Sequence, residues 1–440
     1  MSFRFIKNTI VLFVFTTFIL SAQENPLSLN KTINIAKHND LWLIESYYSQ
    51  KSLESQSVAA GSLPDPKVSF NLLNYPTDTF NFGQEPMTQV NIGVSQMFPR
   101  GRTLALKKQQ MEIQSEVFPF QRLDRSAKVE VMATHLWLDA FKAQQSIALI
   151  EQNRSLFEQL AEVAESNYSS AFGKTQQQDI IRAQLELTRL EDRLVMLQQV
   201  YDTTVEKLSQ WITDRYTQDY SGLDVVEGLN STEKLVLDSN LPEIKLERSE
   251  ELNEDEMVAI FNDHPAVVAI QQKIKVSETG IELAKQKYKP EFAINASYGY
   301  RGDSPLGMDR ADFLTVGVSF DVPLFTKNRQ DKQLQSAVAI NDATQTQVYQ
   351  MLKEMLSSYK SAEAQLKQLD NRQALYVNKL LPQMHEQAEA SLTAYTNDTS
   401  DFAEVVRSRI AELNAEIDAL NIAVDRQKII AQLNYFFTKV

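Results

Sequence analysis

The sequence predicts a mainly α protein with a β portion that faces lipid, built from one unit written twice. Three observations carry this. Glycine and proline are scarce, 12 and 13 of 440 residues, while Ala, Leu, Gln, Glu and Lys abound, so most of the chain favours helix. Four short stretches alternate apolar with small polar residues at the two-residue period of a strand. The first half aligns with the second at an offset of 225 residues. Each unit therefore holds short helices, one β-hairpin and one long antiparallel coiled-coil helix hairpin.

In chain order, Arg4 and Lys7 precede an apolar core that runs to Leu20 and is followed by Ser21 and Ala22, so 1–22 reads as a secretory signal peptide. Its apolar run is shorter than the ~20 residues that span a bilayer. No later segment reads as a transmembrane helix, which leaves any membrane contact to strands. The first repeat is 23–252 and the second 253–440. Ser28 and Asn253 each suit a helix N-cap, with Ile33/Val258 and Ile35/Ile260 in register behind them. Further helical segments end at Leu63-Pro64 and Lys289-Pro290, where β-hairpins 67–98 and 291–322 begin.

In all four expected strands the even positions carry the apolar set, among them Val68, Phe70, Ile92, Val94, Phe292, Ile294, Val316 and Val318. The odd positions include Gln89, Asn91, Ser95, Asn295, Ser297, Thr315 and Ser319, which would line a watery lumen. Strands of this length with one apolar and one small polar face suit a barrel wall in lipid. Two hairpins cannot close a sheet, and lipid forbids an open edge, so other copies of the chain must complete it. Two copies would give eight strands and three would give twelve, and the residues leave that number open.

The long helix hairpins are 102–211 and 327–440. Their outgoing arms, about seventy residues each, would reach on the order of 105 Å, with kinks at Pro119 and Pro382. Tight turns follow at 172–175 and 397–400, and the register resumes with Asp179-Ile180-Ile181-Arg182 against Glu404-Val405-Val406-Arg407. Residues 213–252 are acidic, contain Pro242 and read as an irregular connector on the outside of the helices.

Composition removes several function classes. A net charge of -13 gives no basic stripe for nucleic acid. With no cysteine the chain has no disulfide, thiolate metal site, Cys nucleophile or lipid attachment through Cys. His38, His135, His264 and His385 are scattered without metal-ligand spacing, and no GxSxG, P-loop or dinucleotide fingerprint occurs. The reading is a non-enzyme without cofactor or metal.

Together these residues resemble the TolC family of outer-membrane efflux proteins. The likeness rests on Leu63-Pro64-Asp65-Pro66, Val94-Ser95-Gln96-Met97-Phe98-Pro99, Asp179-Ile180-Ile181-Arg182-Ala183-Gln184, Lys289-Pro290-Glu291-Phe292, Asp321-Val322-Pro323-Leu324-Phe325, Leu380-Leu381-Pro382 and Ala394-Tyr395. The resemblance implies a homotrimer in outer-membrane lipid. Three copies of four strands would form a twelve-stranded barrel, continuous with a twelve-helix α-barrel in the periplasm. It implies the exit duct of a tripartite efflux pump, served by a periplasmic adaptor and an inner-membrane transporter. The Pro-Arg-Gly-Arg join leans toward the resistance-nodulation-division type. The duct of a type I secretion system is the alternative within the family, and a secreted structural coiled-coil protein without a channel is the alternative outside it. The cargo is not legible in the residues.

By the same resemblance the closed end is the helical tip, where Glu404 matches an acidic ring of the family and Arg407 stands at the next matching acidic position. A gate there would draw on Glu404, Arg407, Asp401, Tyr395, Asp179 and Arg182. The plain alternative is that these are solvated helix-end charges, with Asp401 favouring the start of the returning helix. Adaptor docking is expected at the turns, through Gly173, Lys174, Thr175, Asp398, Thr399 and Ser400. The second turn has Asp398 where the family usually has Gly, a substitution the left-handed backbone tolerates.

Overall fold

The computed structural model describes residues 26–169, 177–213, 235–248, 252–397, 399 and 402–440. Helix α1 (Leu29–His38) starts at Ser28, whose hydroxyl accepts from the Lys31 N–H at 3.4 Å. Helix α2 (Leu41–Ala60) starts at Asp40, which accepts from the Trp42 N–H at 3.1 Å. Buried Asp40 also pairs with Arg125 at 2.7 Å, and that guanidinium lies over the Trp42 and Trp211 rings, so one cation ties three helices together. The same device opens the second half. Asn253 and Glu256 form a reciprocal capping box for α6 (Glu254–Asn262), and Pro265 takes the first position of α7 (Pro265–Gln286).

Strands β1 (Lys67–Leu73) and β2 (Gln89–Phe98) follow α2, and β3 (Phe292–Tyr300) and β4 (Phe313–Phe320) follow α7. They form one antiparallel sheet in the order β1-β2-β3-β4, so the two hairpins pair with each other through β2 and β3. The strands are shorter than the alternation predicts. β1 stops where Asn74 turns to a positive φ of 52°, and beyond β4 the Asp321 carboxylate accepts from the Glu291 N–H at 2.8 Å.

The long helices are not continuous. The first is divided into α3 (Thr103–Ser115) and α4 (Val117–Ser169). The expected kink at Pro119 surfaces upstream because the ring of a helical proline opposes the carbonyl four residues earlier, here Ser115. The second runs as α8 (Gln330–Leu375), a π-helical turn (Tyr376–Leu380) and α9 (Leu381–Thr396). Pro382 opposes Asn378 inside that wider turn, where the Leu381 N–H reaches the Tyr376 carbonyl. The returning helices are α5 (Gln177–Ile212) and α10 (Phe402–Tyr435).

Three buried clusters hold the helices. One joins Leu27, Ile35, Val129, Trp137, Leu208 and Leu237 under the described part of the connector. There the Trp137 indole donates to the Leu27 carbonyl at 2.9 Å, and Leu27 bridges Leu237. Residues 235–248 lie along α10, where Gln427 accepts from the Ile244 N–H at 2.8 Å and Asn434 accepts from the Glu247 N–H at 2.9 Å. The second cluster packs Phe261, Met355, Tyr359 and Phe436, and the third packs Phe157, Leu190, Phe402, Val405 and Leu413 near the tip. No helix among the described residues is long and apolar enough to cross a membrane.

Candidate functional site

The sheet is the unusual surface. Val68 and Phe70 are each 72% exposed and Leu314 is 77% exposed, so the apolar face that the alternation predicts is bare rather than packed on a core. The ladder keeps that face intact from strand to strand. Val68 lies opposite Val94, Val94 opposite Ala296, and Ala296 opposite Val316; Phe70, Ile92, Tyr298 and Leu314 form the next row. Aromatic side chains bound it. Phe98, Phe292 and Phe320 stand in register at one end, with the Phe292 and Phe320 rings 6.0 Å apart. At the other end Tyr300 stacks on Phe82 of the first hairpin loop at 6.3 Å. From Phe292 to Tyr300 the strand has 9 residues, within the roughly 9 to 11 that a tilted strand needs to cross the apolar layer.

The opposite face gathers the polar candidates. Ser95 faces Asn295 and Ser297 faces Thr315, while the Asn295 amide donates to the Ser319 hydroxyl at 3.4 Å. Asn91 and Gln89 continue that face on β2. The outer edges of β1 and β4 have no partner strand among the described residues.

At the end marked by the phenylalanine row, strands pass into helices through the Pro-Arg-Gly-Arg join. Arg100 pairs with Asp321, lies 3.6 Å from Glu291, and donates to the Lys289 carbonyl at 2.9 Å. One side chain thus fastens the first strand-to-helix join to both ends of the second hairpin. The sequence marked Arg100 within a motif, but its partners lie nearly 190 residues or more away and only the fold brings them together. Gly101 follows at φ 49°, and a Cβ there would stand 2.5 Å from Gln286 Oε1 and 2.6 Å from Lys289 Cδ.

At the far end of the helices Arg407 donates to Glu404 at 2.7 Å, so the acid and base proposed for the tip neutralise each other within one turn of α10. Tyr395 sits edge-on to buried Phe402 at 5.7 Å, a packing contact. Arg182 is exposed on α5, and Asp179 stands one turn before it. Thr399 closes α9, its N–H and hydroxyl both donating to the Ala394 carbonyl. Gly173, Lys174, Thr175, Asp398, Ser400 and Asp401 lie outside the described residues.

Higher on the same helix pair is a cluster the sequence reading missed. Arg409, 10% exposed, pairs with Glu412 at 2.9 Å and with Glu389 across the α9–α10 contact, and its buried Nε has no partner. His385 Nδ1 meets Glu412 at 2.6 Å, which raises the imidazole pKa above its ordinary value. Burial, with Glu412 one turn away, raises Glu416 in turn. The sequence signal was the four-residue spacing of His385 with Glu389 and of Glu412 with Glu416. His135 and His264 are singly placed, each bonded to a backbone carbonyl, with burial lowering both pKa values. No group of metal-ligating side chains occurs among the described residues.

No family model matches the sequence, and no curated protein does. Solved structures do. The chain superposes over 93% of its length on the outer membrane protein VceC of Vibrio cholerae, covering 96% of that chain at TM-score 0.72 and 13% identity. It matches the outer membrane channel CmeC of Campylobacter jejuni with 93% and 85% coverage, TM-score 0.72 and 11% identity. It also matches the open state of the outer membrane channel MtrE of Neisseria gonorrhoeae with 93% and 89% coverage, TM-score 0.69 and 14% identity. The chain has the fold of outer-membrane channel proteins, mostly helical with a small antiparallel sheet.

Proposed function

We propose that this protein is the outer-membrane exit duct of a tripartite efflux pump, a TolC-family homotrimer that passes cargo without altering it. The observation that carries the reading is the bare sheet: an apolar face bounded by aromatic side chains, a small polar face behind it and two edges unpaired among the described residues, mounted on helices of which α4 alone runs about 80 Å. The shared channel fold supports it. Three copies would close the edges into twelve strands and set the long helices side by side as a periplasmic tube. In that assembly the cargo passes Asn91, Ser95, Asn295 and Thr315, a periplasmic adaptor docks at the turns 173–175 and 398–400, and a resistance-nodulation-division transporter in the inner membrane supplies the substrate. Glu404 and Arg407, paired within each copy, then line the narrowest helical ring. The two halves of the chain, each ordered helix, helix, strand, strand and long helix hairpin, are read as a duplicated unit.

The test compares the two faces at matched depth. Ile92→Lys is expected to cost roughly 2 to 4 kcal/mol in membrane-folded stability, as a lysine in lipid does. Asn91→Lys is expected to leave stability unchanged and to shift the channel's ion selectivity toward anions. Equal tolerance of both, with no conductance in planar bilayers, would replace the duct by a secreted coiled-coil protein.

A further inference from the structure

Basic residues gather just beyond the phenylalanine row. Segments 100–108, 285–289 and 327–332 contain ten Lys and Arg and one acid, Asp331, whereas the whole chain has 44 bases against 57 acids. The fold brings these segments together. Arg100 donates to the carbonyls of Lys287 and Lys289, the Arg102 N–H donates to Gln286, and the Tyr288 hydroxyl donates to Asp331 at 2.7 Å. Some of the charge is spent internally: Arg100 on Asp321 and Glu291, Lys108 on Glu112, and Lys285 on Glu282. Arg102, Lys107, Lys287, Lys289, Lys327 and Arg329 are exposed and have no acidic partner among the described residues.

A cluster of unpaired cations in an acidic protein repels itself, and it persists at little cost only where counter-charge is at hand. Its position says what the counter-charge is. The nearest bases are Arg100, two residues after Phe98, Lys289, three before Phe292, and Lys327, seven after Phe320; these phenylalanines form the row that ends the apolar face, and exposed Val322 and Leu324 continue that face into the collar. Aromatic side chains at a lipid boundary with bases just outside them meet the level of the headgroups. We propose that this collar binds the phosphate headgroups of anionic phospholipids in the leaflet on the helical side of the membrane. The inference rests on reading the sheet as a membrane wall, and it adds a specific lipid partner and a fixed depth in the bilayer.

The full-length protein is reconstituted in bilayers of phosphatidylethanolamine with a minor fraction of phosphatidylglycerol, and the lipid retained by the protein is quantified by mass spectrometry. The wild type is expected to retain phosphatidylglycerol above its share. K287Q/K289Q/K327Q/R329Q is expected to lose that enrichment, at about five-fold in preference per cation removed, with conductance and ion selectivity unchanged. Equal lipid ratios in wild type and variant overturn the collar while leaving the channel reading standing. A change of ion selectivity without a change of lipid ratio also overturns it, because the bases would then face the lumen. Wild type that fails to insert even into phosphatidylethanolamine alone overturns the membrane wall and the collar with it. Should the variant not fold, wild type washed at about 1 M salt decides: phosphate contacts of exposed bases are screened there, and enrichment that survives the wash overturns the proposal.

Discussion

Gly101 is the residue on which the strand-to-helix join depends most. Its left-handed backbone and the nearness of Gln286 and Lys289 leave no room for a Cβ. Gly101→Ala is expected to destabilise the protein by about 1 to 3 kcal/mol. Gly317→Ala, where nothing lies within 4 Å and φ is not positive, should stay within about 1 kcal/mol. Denaturant unfolding of both variants checks the contrast, and equal losses would remove Gly101's special standing. His385 predicts a pH dependence. Its folded pKa is raised by Glu412, so the stabilisation it gives to the α9–α10 contact is complete below the unfolded value near 6.5 and is lost as pH rises through the folded value. Protection factors in α9, with the intrinsic base catalysis of exchange divided out, should therefore fall from mildly acidic to mildly alkaline pH in the wild type and lose that slope in His385→Gln. A slope retained by the variant would assign it to other groups. The motif around Gly101 could be read in the sequence because proline and glycine punctuate locally. The His385–Glu412 pair could not, because it depends on how two antiparallel helices slide against each other, which no single-chain periodicity encodes.

Among the elements, strands and helix starts were the most legible and helix interruptions the least. The period of two in Val68, Phe70 and Leu72 fixes a strand and its faces whatever surrounds it, and β1 to β4 fall within a few residues of the alternation. Ser28 and Asn253 announced their helices by the same local chemistry. Pro119 and Pro382 announced breaks, yet each break lies upstream, since the clash is with a carbonyl one turn before the ring. The π turn at Tyr376–Leu380 follows from that clash, and it should respond to its removal. Pro382→Ala supplies the missing N–H and frees the Asn378 carbonyl, so residues 376–380 are expected to become more protected in hydrogen exchange and the α8–α9 rod stiffer. Unchanged protection would mean that packing against α10 holds the turn open. For the candidate site, the polar face of the sheet was legible and the tip only in part. Glu404 and Arg407 lie at the start of α10, but that they neutralise each other depends on rotamers rather than on spacing.

At the scale of the whole molecule, the described residues have a bare apolar sheet at one end and the Glu404–Arg407 ion pair near the other, with buried clusters between. The sheet cannot stay as it is in either water or lipid, and the proposed trimer is the remedy. A detergent-solubilised sample is expected to have three times the chain mass, and light scattering that reports a monomer would count against it. The ladder adds a constraint on how copies can meet. Partner numbers sum to 162 between β1 and β2, as in Lys67 with Ser95, to 390 between β2 and β3, as in Val90 with Tyr300, and to 612 between β3 and β4, as in Phe292 with Phe320. All three sums are even. If a copy's β4 is to continue that pattern onto the next copy's β1, the joining sum must be even as well. In a chain that has no cysteine of its own, Val318→Cys should therefore cross-link between copies with cysteine at an even position of β1, such as 68, 70 or 72, and not with its odd neighbours. The wall thus behaves like a parity code. A single residue inserted into any strand would not merely shift a register; it would exchange oil for water along everything downstream of it in that strand, so hairpin length in this protein can drift freely in the loops but changes in the strands only in steps of two.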